Sequence, residues 1–122
     1  MACNAAKLEQ ELHQFIGTEH YYSIRADFMG TDGVKYLAEQ AGCFWLLDLY
    51  WSHLLNIDHI ANPFTVLKMT VQNSAAYVVI EDGNDNVLAQ QFVEYTDFQL
   101  PTFSLYCSWF GEGWVEMLTS EY

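Results

Sequence analysis

The stretch Thr31–Leu55, TDGVKYLAEQAGCFWLLDLYWSHLL, decides the fold of this chain. Thr31 and Asp32 favour a helix start, because a short side-chain oxygen accepts the free N–H groups of a first helical turn. The apolar residues that follow keep the spacing of one helix face: Val34, Leu37, Ala38 and Ala41. Gly42 stands where a glycine typically ends a helix. The first part of the stretch therefore predicts an amphipathic helix that ends at Gly42.

A second helix is predicted from Cys43 or Phe44 to Leu55. One of its faces carries Phe44, Leu47, Tyr50, Trp51, Leu54 and Leu55, and the other side adds Trp45, Leu46 and Leu49. A helix that is apolar nearly all round is usually buried on more than one side. About a dozen residues are too few to cross a bilayer, which takes ~20. We therefore expect a buried central helix.

The segments before this stretch predict a further helix and an extended piece. Residues Asn4–Ile16 carry an apolar stripe at helical spacing, formed by Leu8, Leu12, Phe15 and Ile16. Glu19–Ile24 is expected to be extended. Phe28–Gly33 is expected to turn, because its glycines permit positive φ.

From Phe64 onward the apolar period changes to two, which is typical of strands. The predicted strands start at Phe64 and then cover Ala75–Ile80, Val87–Tyr95, Phe103–Phe110 and Trp114–Leu118. The cluster Asp82–Asn86, DGNDN, is rich in turn residues and should close an antiparallel hairpin. This order predicts one α+β domain over residues 1–122. About three N-terminal helices would pack on one face of an antiparallel meander of about four to five strands.

The composition fits a compact domain that stays in the cytoplasm. It is 52% hydrophobic and 16% aromatic, which is ample for one core. No apolar run has the length of a transmembrane helix, and the first residues, MACNAAKLEQ, lack the apolar core of a secretory signal. Cys3, Cys43 and Cys107 are odd in number and far apart, which favours reduced thiols. We expect Cys43 and Cys107 to behave as small buried apolar residues.

Charge is the feature that points to a function. The formal net charge is −12, and every charged residue after Lys68 is acidic. This sign repels nucleic acid and anionic membranes and attracts a basic protein surface. We expect acidic residues on hairpin tips and strand faces to bind such a surface: Glu81, Asp82, Asp85, Glu94, Asp97, Glu112 and Glu116. Aromatic residues of the same half either pack in the core or anchor this interface: Tyr77, Tyr95, Tyr106, Trp109 and Trp114.

The sequence contains no recognisable catalytic, metal or cofactor motif. His53 and His59 miss the four-residue spacing that puts two metal ligands on one helix face. The loop that starts at Asp82 resembles a calcium loop only in part, because Val87 and Val93 stand where that motif needs Gly and Glu. We therefore expect no catalytic residue, no metal ligand and no cofactor, and hence a protein that is not an enzyme.

Several motifs resemble a family of small uncharacterised domains from bacteria and from their phages and plasmids. The motifs are FIGTEHYY, TDGVKYLAEQAGCFWLLDL, a DGN turn, YTDFQL and a C-terminal TSEY, and the resemblance runs from Phe15 to Tyr122. The family has no assigned reaction, so the resemblance implies no catalytic residue. It implies a small accessory protein from a mobile element. Such proteins commonly antagonise host defence, including CRISPR systems.

The charge and the resemblance together support a first hypothesis. The protein would be a non-enzymatic phage or mobile-element inhibitor of the anti-CRISPR kind, located in the cytoplasm of the bacterial host. It would act as an acidic DNA mimic and block a basic nucleic-acid-binding surface, such as one on a CRISPR effector subunit. It would do so as a monomer or a weak dimer, without binding nucleic acid or membrane itself. This hypothesis predicts a continuous acidic face.

Two alternatives remain open from the sequence. The first is an acidic structural or protein-interaction domain without mimicry, which predicts acidic residues spread evenly over the surface. The second is a small hydrolase or transferase that uses His20 or Cys107. It predicts a cleft where one of these residues meets a carboxylate or hydroxyl within hydrogen-bond reach.

Overall fold

A computed structural model describes residues 5–15, 21–25 and 28–121. Within these ranges the helices are α1 (Ala5–Leu12), α2 (Asp32–Ala41) and α3 (Phe44–Leu54). The strands are β1 (Tyr21–Arg25), β2 (Phe28–Thr31), β3 (Phe64–Gln72), β4 (Ala75–Glu81), β5 (Val87–Val93), β6 (Thr102–Trp109) and β7 (Trp114–Leu118). A short 3₁₀ turn, Thr119–Glu121, follows β7. The α+β class predicted from the sequence is confirmed.

The strands form one sheet in the order β1-β2-β7-β6-β3-β4-β5. Neighbours are antiparallel except for β2 and β7, which run parallel. Strands β3, β4 and β5 follow one another as neighbours, and β6 then returns to pair with the other side of β3. This is a Greek-key connection rather than the predicted meander. The smaller, purely antiparallel sheet expected from the sequence is therefore corrected to a mixed sheet of seven described strands.

The two additional strands come from the segment between α1 and α2. Strand β1 lies in the segment that we expected to be extended, whereas β2 occupies Phe28–Thr31, where we expected a turn. Strand β2 is only four residues long and pairs with the distant β7, so no local period marks it. The predicted helix end at Ile16, together with Glu19 and His20, lies outside the described residues.

Both helix ends predicted in the central stretch are confirmed. The Thr31 hydroxyl accepts a hydrogen bond from the Val34 N–H at 3.3 Å and starts α2. Gly42 has a φ of 64°, a left-handed conformation that glycine adopts without strain, and it ends α2. Helix α3 begins two residues later, at Phe44.

The helices pack on one face of the sheet, as predicted. On α3, the Tyr50 hydroxyl lies 2.8 Å from the Thr65 hydroxyl of β3. One helical turn further along α3, His53 Nε2 lies 2.8 Å from Gln91 Oε1 of β5. The helix therefore reaches from the middle of the sheet to its edge. The buried side chains of neighbouring strands form the floor of the core, among them Leu67, Leu105 and Leu118.

The strand registers place the turns at two opposite ends of the sheet. The β4–β5 and β6–β7 turns share one end, because Phe64 at the start of β3 lies beside Gly83 and pairs with Ser108 of β6. The β3–β4 turn and the chain after β5 share the other end, where the Thr96 N–H donates to the Ser74 carbonyl at 2.8 Å. The exposed acidic residues of the second half are distributed between these two ends.

Candidate functional site

The structure separates the acidic residues that we predicted to bind a partner. Glu81, Asp82 and Asp85 lie at the β4–β5 turn, Glu112 in the β6–β7 turn, Glu94 and Asp97 after β5, and Glu116 inside β7. The β4–β5 and β6–β7 turns are at one end of the sheet, and the segment after β5 is at the opposite end. These residues therefore do not form one continuous acidic face.

The β4–β5 turn is held in shape by Asp82. One carboxylate oxygen accepts the Asn84 N–H at 2.8 Å and the Asn86 N–H at 3.2 Å, and the other accepts the Asn86 side-chain amide at 2.9 Å. The bond from the Asn86 side chain, followed by the one from the Asn84 N–H, lowers the pKa of Asp82. Asp82 is therefore ionised at neutral pH, and the adjoining Asp85 is held in a left-handed conformation with a φ of 67°.

Lys68 of β3 neutralises part of the charge at this end. Its Nζ lies 2.9 Å from Glu81 and 4.0 Å from Asp85. The Glu81 side chain is only 15% exposed, whereas that of Asp85 is 92% exposed. Glu81 is thus largely paired within the protein. Asp82 and Asp85 remain as the outward charge.

At the opposite end, a short pinned segment presents two more carboxylates. The Thr96 hydroxyl accepts the Phe98 N–H at 3.1 Å, and the Phe98 ring is buried. These contacts fix the backbone around Thr96, while Glu94, Tyr95 and Asp97 are exposed. The motif YTDFQL therefore anchors this end of the sheet through Phe98 and directs its acidic residues outward.

Strand β5 connects the two acidic ends and is itself uncharged. Its sequence is VLAQQFV, and Val87 and Phe92 are 56% and 61% exposed. At about 3.3 Å per residue, seven residues separate the two ends by roughly 20 Å. We refer to β5 together with Asp82, Asp85, Glu94 and Asp97 as the β5 rim. It combines an exposed apolar and amide-bearing strand with carboxylates at both of its ends.

Glu112 and Glu116 do not belong to this rim. Glu112 is exposed, but its turn joins β6 to β7, and β3 and β4 separate β6 from β5. Glu116 is fully buried, so its predicted role on a partner-binding surface is wrong. The physical reason is that β7 lies between β2 and β6 and all five of its residues are buried.

Glu116 instead lies in a buried polar cluster with Tyr50, Thr65 and Cys107, which the sequence analysis missed. The Thr65 hydroxyl donates to the Cys107 carbonyl at 3.2 Å, so Tyr50 is the donor in its bond to Thr65. Neither carboxyl oxygen of Glu116 has a hydrogen-bond partner among the described residues. Burial first, and then the nearby charge of Asp48, raises the pKa of Glu116 well above its usual value.

The same burial argues against a catalytic role for Cys107. Burial first, and then Glu116, raises the pKa of the Cys107 thiol well above its usual value. A thiol that stays protonated and has no exposed surface is a poor nucleophile. Its neighbour Glu116 is buried with it, so the two do not meet in an open cleft. His20, the other residue of the enzyme hypothesis, lies outside the described residues.

A cleft of about 360 Å³ opens between α2, α3 and the β1–β2 pair. Its walls are mostly apolar and include Ile24, Val34 and Leu47. The Lys35 ammonium lies 4.2 Å from the centre of the Tyr22 ring at its mouth. In the described ranges no three His, Cys, Asp or Glu side chains are placed to hold a metal ion.

Comparison with known proteins gives one result. A family model matches residues 6–122. The chain belongs to DUF6876, a family of unknown function. No curated protein and no solved structure matches the chain. Among the described helices of this DUF6876 protein, none is long and apolar enough to cross a membrane.

Two of the motifs quoted from the DUF6876 sequence meet in the structure. In the TSEY segment, one oxygen of Glu121 accepts the Thr31 hydroxyl at 2.5 Å and the Leu118 N–H at 3.0 Å. The other oxygen accepts the Gly33 N–H at 3.1 Å, at the first turn of α2. A negative charge at a helix N-terminus is stabilising. The TDG and TSEY motifs therefore form a structural clamp.

Proposed function

We propose that this protein is a non-enzymatic binding domain whose acidic β5 rim docks on a basic surface of another protein. One observation carries the proposal: an exposed, uncharged edge strand has ionisable carboxylates at both of its ends. Protein interfaces commonly combine an apolar centre with a polar or charged border. The β5 rim has this arrangement on a free surface of the molecule.

The overall charge supports the same function. A net charge of −12 produces a negative field that accelerates encounter with a basic partner. The field is strongest where carboxylates are exposed without a neighbouring cation. At the rim Lys68 lies 2.9 Å from Glu81 and 4.0 Å from Asp85, so it compensates Glu81 more fully than the 92% exposed Asp85, and the exposed carboxylates still face the partner.

The narrower hypothesis of an anti-CRISPR DNA mimic from a phage or mobile element stays a prediction. DNA presents about one negative charge for every 1.7 Å of its axis. The rim instead has two carboxylate groups roughly 20 Å apart, with an uncharged strand between them. This interrupted pattern favours recognition of a protein segment over imitation of a phosphate backbone. A CRISPR effector subunit remains one partner with the required basic character.

The function is tested by retention of partners from a lysate of a CRISPR-carrying bacterium on three immobilised proteins. The rim variant Asp85→Asn/Glu94→Gln removes one charge at each end of β5. The control variant Glu9→Gln/Glu39→Gln removes the same charge from exposed positions on α1 and α2. Exposed ion pairs contribute up to ~1 kcal/mol each, so we expect about tenfold weaker retention by the rim variant.

The outcomes separate the competing functions. A basic protein that is held by wild type and control, lost from the rim variant and released by salt supports the proposal. Equal retention by all three proteins would contradict it. If added DNA competes for the same retained protein, the DNA-mimic form gains support; if it does not, the interaction is with a basic surface unrelated to DNA binding.

A further inference from the structure

We propose that β5 binds its partner by main-chain pairing, accepting one extended segment with Lys or Arg at both ends as an additional strand of the sheet. This inference rests on the proposed function and specifies how the rim engages its target. It follows from the state of the sheet edge, from the rigidity of β5 and from the distribution of charge around it.

The two edges of the sheet differ in how open they are to another strand. Strand β1, at one edge, has five residues and an irregular register between Ser23 and Arg25. Strand β5, at the other edge, has seven residues without a proline or a charged side chain. Natural edge strands usually carry a charge, a proline or a bulge that prevents further pairing. Strand β5 lacks the first two devices entirely.

The irregularity that β5 does contain leaves most of the strand usable. The register shifts only between Ile80 and Glu81 of β4, so the bulge lies next to Leu88, near the turn. From Ala89 to Val93 the pairing with β4 is regular. In a regular edge strand every second residue points its N–H and C=O away from the sheet. A partner strand of about five to seven residues can therefore pair there.

Side-chain contacts on both faces of β5 fix its position at the edge of the sheet. On the helix side, His53 of α3 contacts the Gln91 amide at 2.8 Å. On the opposite side, the Tyr77 hydroxyl donates a hydrogen bond to the Gln90 amide oxygen. The turn that precedes β5 is fixed by Asp82. Little additional ordering is needed when a segment binds, which favours affinity.

The charges decide which segment binds. Pairing β5 antiparallel with β5 of a second copy would place the Asp85 end of one molecule beside the Glu94 end of the other. Like charges opposite one another are destabilising, so a second copy is disfavoured. A partner segment with basic residues at both ends would instead face a carboxylate at each end. Between them, a β-branched or aromatic residue would pack beside Phe92 on the face opposite the helices.

The test uses a synthetic ten-residue peptide with two lysines at each end and alternating Thr and Val between them. Two further versions carry N-methyl groups on alternate backbone nitrogens, one on the odd-numbered and the other on the even-numbered residues of the peptide. Only one of these two methylation patterns removes the N–H groups that face β5. We expect the unmodified peptide and one methylated version to bind similarly in fluorescence anisotropy, and the other version to bind at least about tenfold more weakly, since a lost main-chain bond contributes ~1 kcal/mol.

Two variants place the binding on the protein. Phe92→Lys puts a cation on the exposed face of β5 and should weaken peptide binding about tenfold, because a charged edge opposes both pairing and a basic ligand. Phe110→Lys is the matched control, since Phe110 is 62% exposed and lies in the β6–β7 turn. Melting temperatures measured for both variants check that each is folded.

Each result decides between the inference and the function on which it rests. Equal, salt-sensitive binding of all peptide versions would overturn strand addition while leaving an acidic docking surface intact. No binding of the unmodified peptide at low salt would also overturn strand addition, and the lysate experiment would then decide the proposed function separately. Equal weakening by Phe92→Lys and Phe110→Lys would assign the binding to general charge rather than to β5.

Discussion

Glu116 lies in the middle of β7 with both carboxyl oxygens shielded from water. Tyr50 and Cys107 are its uncharged titratable neighbours, and Asp48 is the acidic one. Because burial disfavours the charged form, the pKa of Glu116 in the folded protein lies well above the usual value of 4.5. The unfolded chain releases the Glu116 proton at a lower pH. Folding therefore becomes less favourable as the pH rises through the window between the two pKa values.

Replacement of this carboxyl by a neutral amide should remove that pH dependence. We expect Glu116→Gln to be more stable than wild type at pH 8, by about 1.4 kcal/mol for each unit by which the wild-type pKa is raised. Near pH 4 the difference should vanish or reverse, because the wild-type carboxyl is then neutral as well. Urea unfolding of both proteins across this pH range measures the difference. A difference that does not change with pH would show that Glu116 is not held neutral by the fold.

At the scale of elements, the clamp between Glu121 and α2 joins distant parts of the chain. Glu121 satisfies the N–H of Gly33 and the hydroxyl of Thr31, and both lie at the start of the helix. The space beside Gly33 is so limited that an added Cβ would lie 2.5 Å from the Leu118 side chain and 2.6 Å from Glu121. A larger residue in the first turn of α2 would therefore have to displace the ends of the Leu118 and Glu121 side chains, and with them the clamp.

Removal of the clamping carboxylate should destabilise the protein without changing its fold. We expect Glu121→Ala to cost about 1–2 kcal/mol, which is the typical effect of losing a helix cap. Glu112→Ala is the control, because Glu112 is an exposed turn residue of the same type and the same charge. Thermal and urea unfolding would measure both variants. Equal losses in the two would mean that the bonds of Glu121 contribute nothing beyond its charge.

How far local sequence predicts structure differs among these elements. The period of Val34, Leu37 and Ala41 and the glycine at 42 suffice for α2, because a helix forms its hydrogen bonds within one segment. Strand β2 has no such internal signal, because it is only four residues long and one of its two partners, β7, is distant in the chain. The burial of Glu116 had a usable signal: WVEML is apolar on both faces, which is typical of a central strand. Counting Glu116 among the exposed acids overlooked that pattern.

At the scale of the whole molecule, charge repulsion opposes folding. Only 4 Lys and Arg residues face 16 Asp and Glu residues in the sequence. The compact state brings these carboxylates closer together than the unfolded chain does, and added salt screens their repulsion. The acidic composition was evident from the sequence. Its division between two ends of the sheet follows from the predicted β4–β5 hairpin, whereas the separation of Glu112 from β5 was not evident, because it depends on the Greek-key order that puts β3 and β4 between β6 and β5.

Stability should therefore increase with ionic strength at neutral pH. We expect sodium chloride to raise the free energy of unfolding by up to about 1 kcal/mol, and to raise it less in Asp85→Asn/Glu94→Gln, which has less charge to screen. Unfolding by urea, which is uncharged, measures this between low and moderate salt. A salt effect of the same size in both proteins would locate the repulsion away from the β5 rim.

The position of β7 has a consequence for how the protein is made. This strand follows all the others in sequence, yet it lies third in the sheet, between β2 and β6. During synthesis on a ribosome, two pieces with unpaired strands would emerge before β7. One piece contains β2, α2 and α3, and the other is the Greek key of β3 to β6. Their strands can join into one sheet only after residues 114–118 have been synthesised. A chain that stalls before residue 114 would leave β2 and β6 with unpaired edges, and such edges can pair with other proteins.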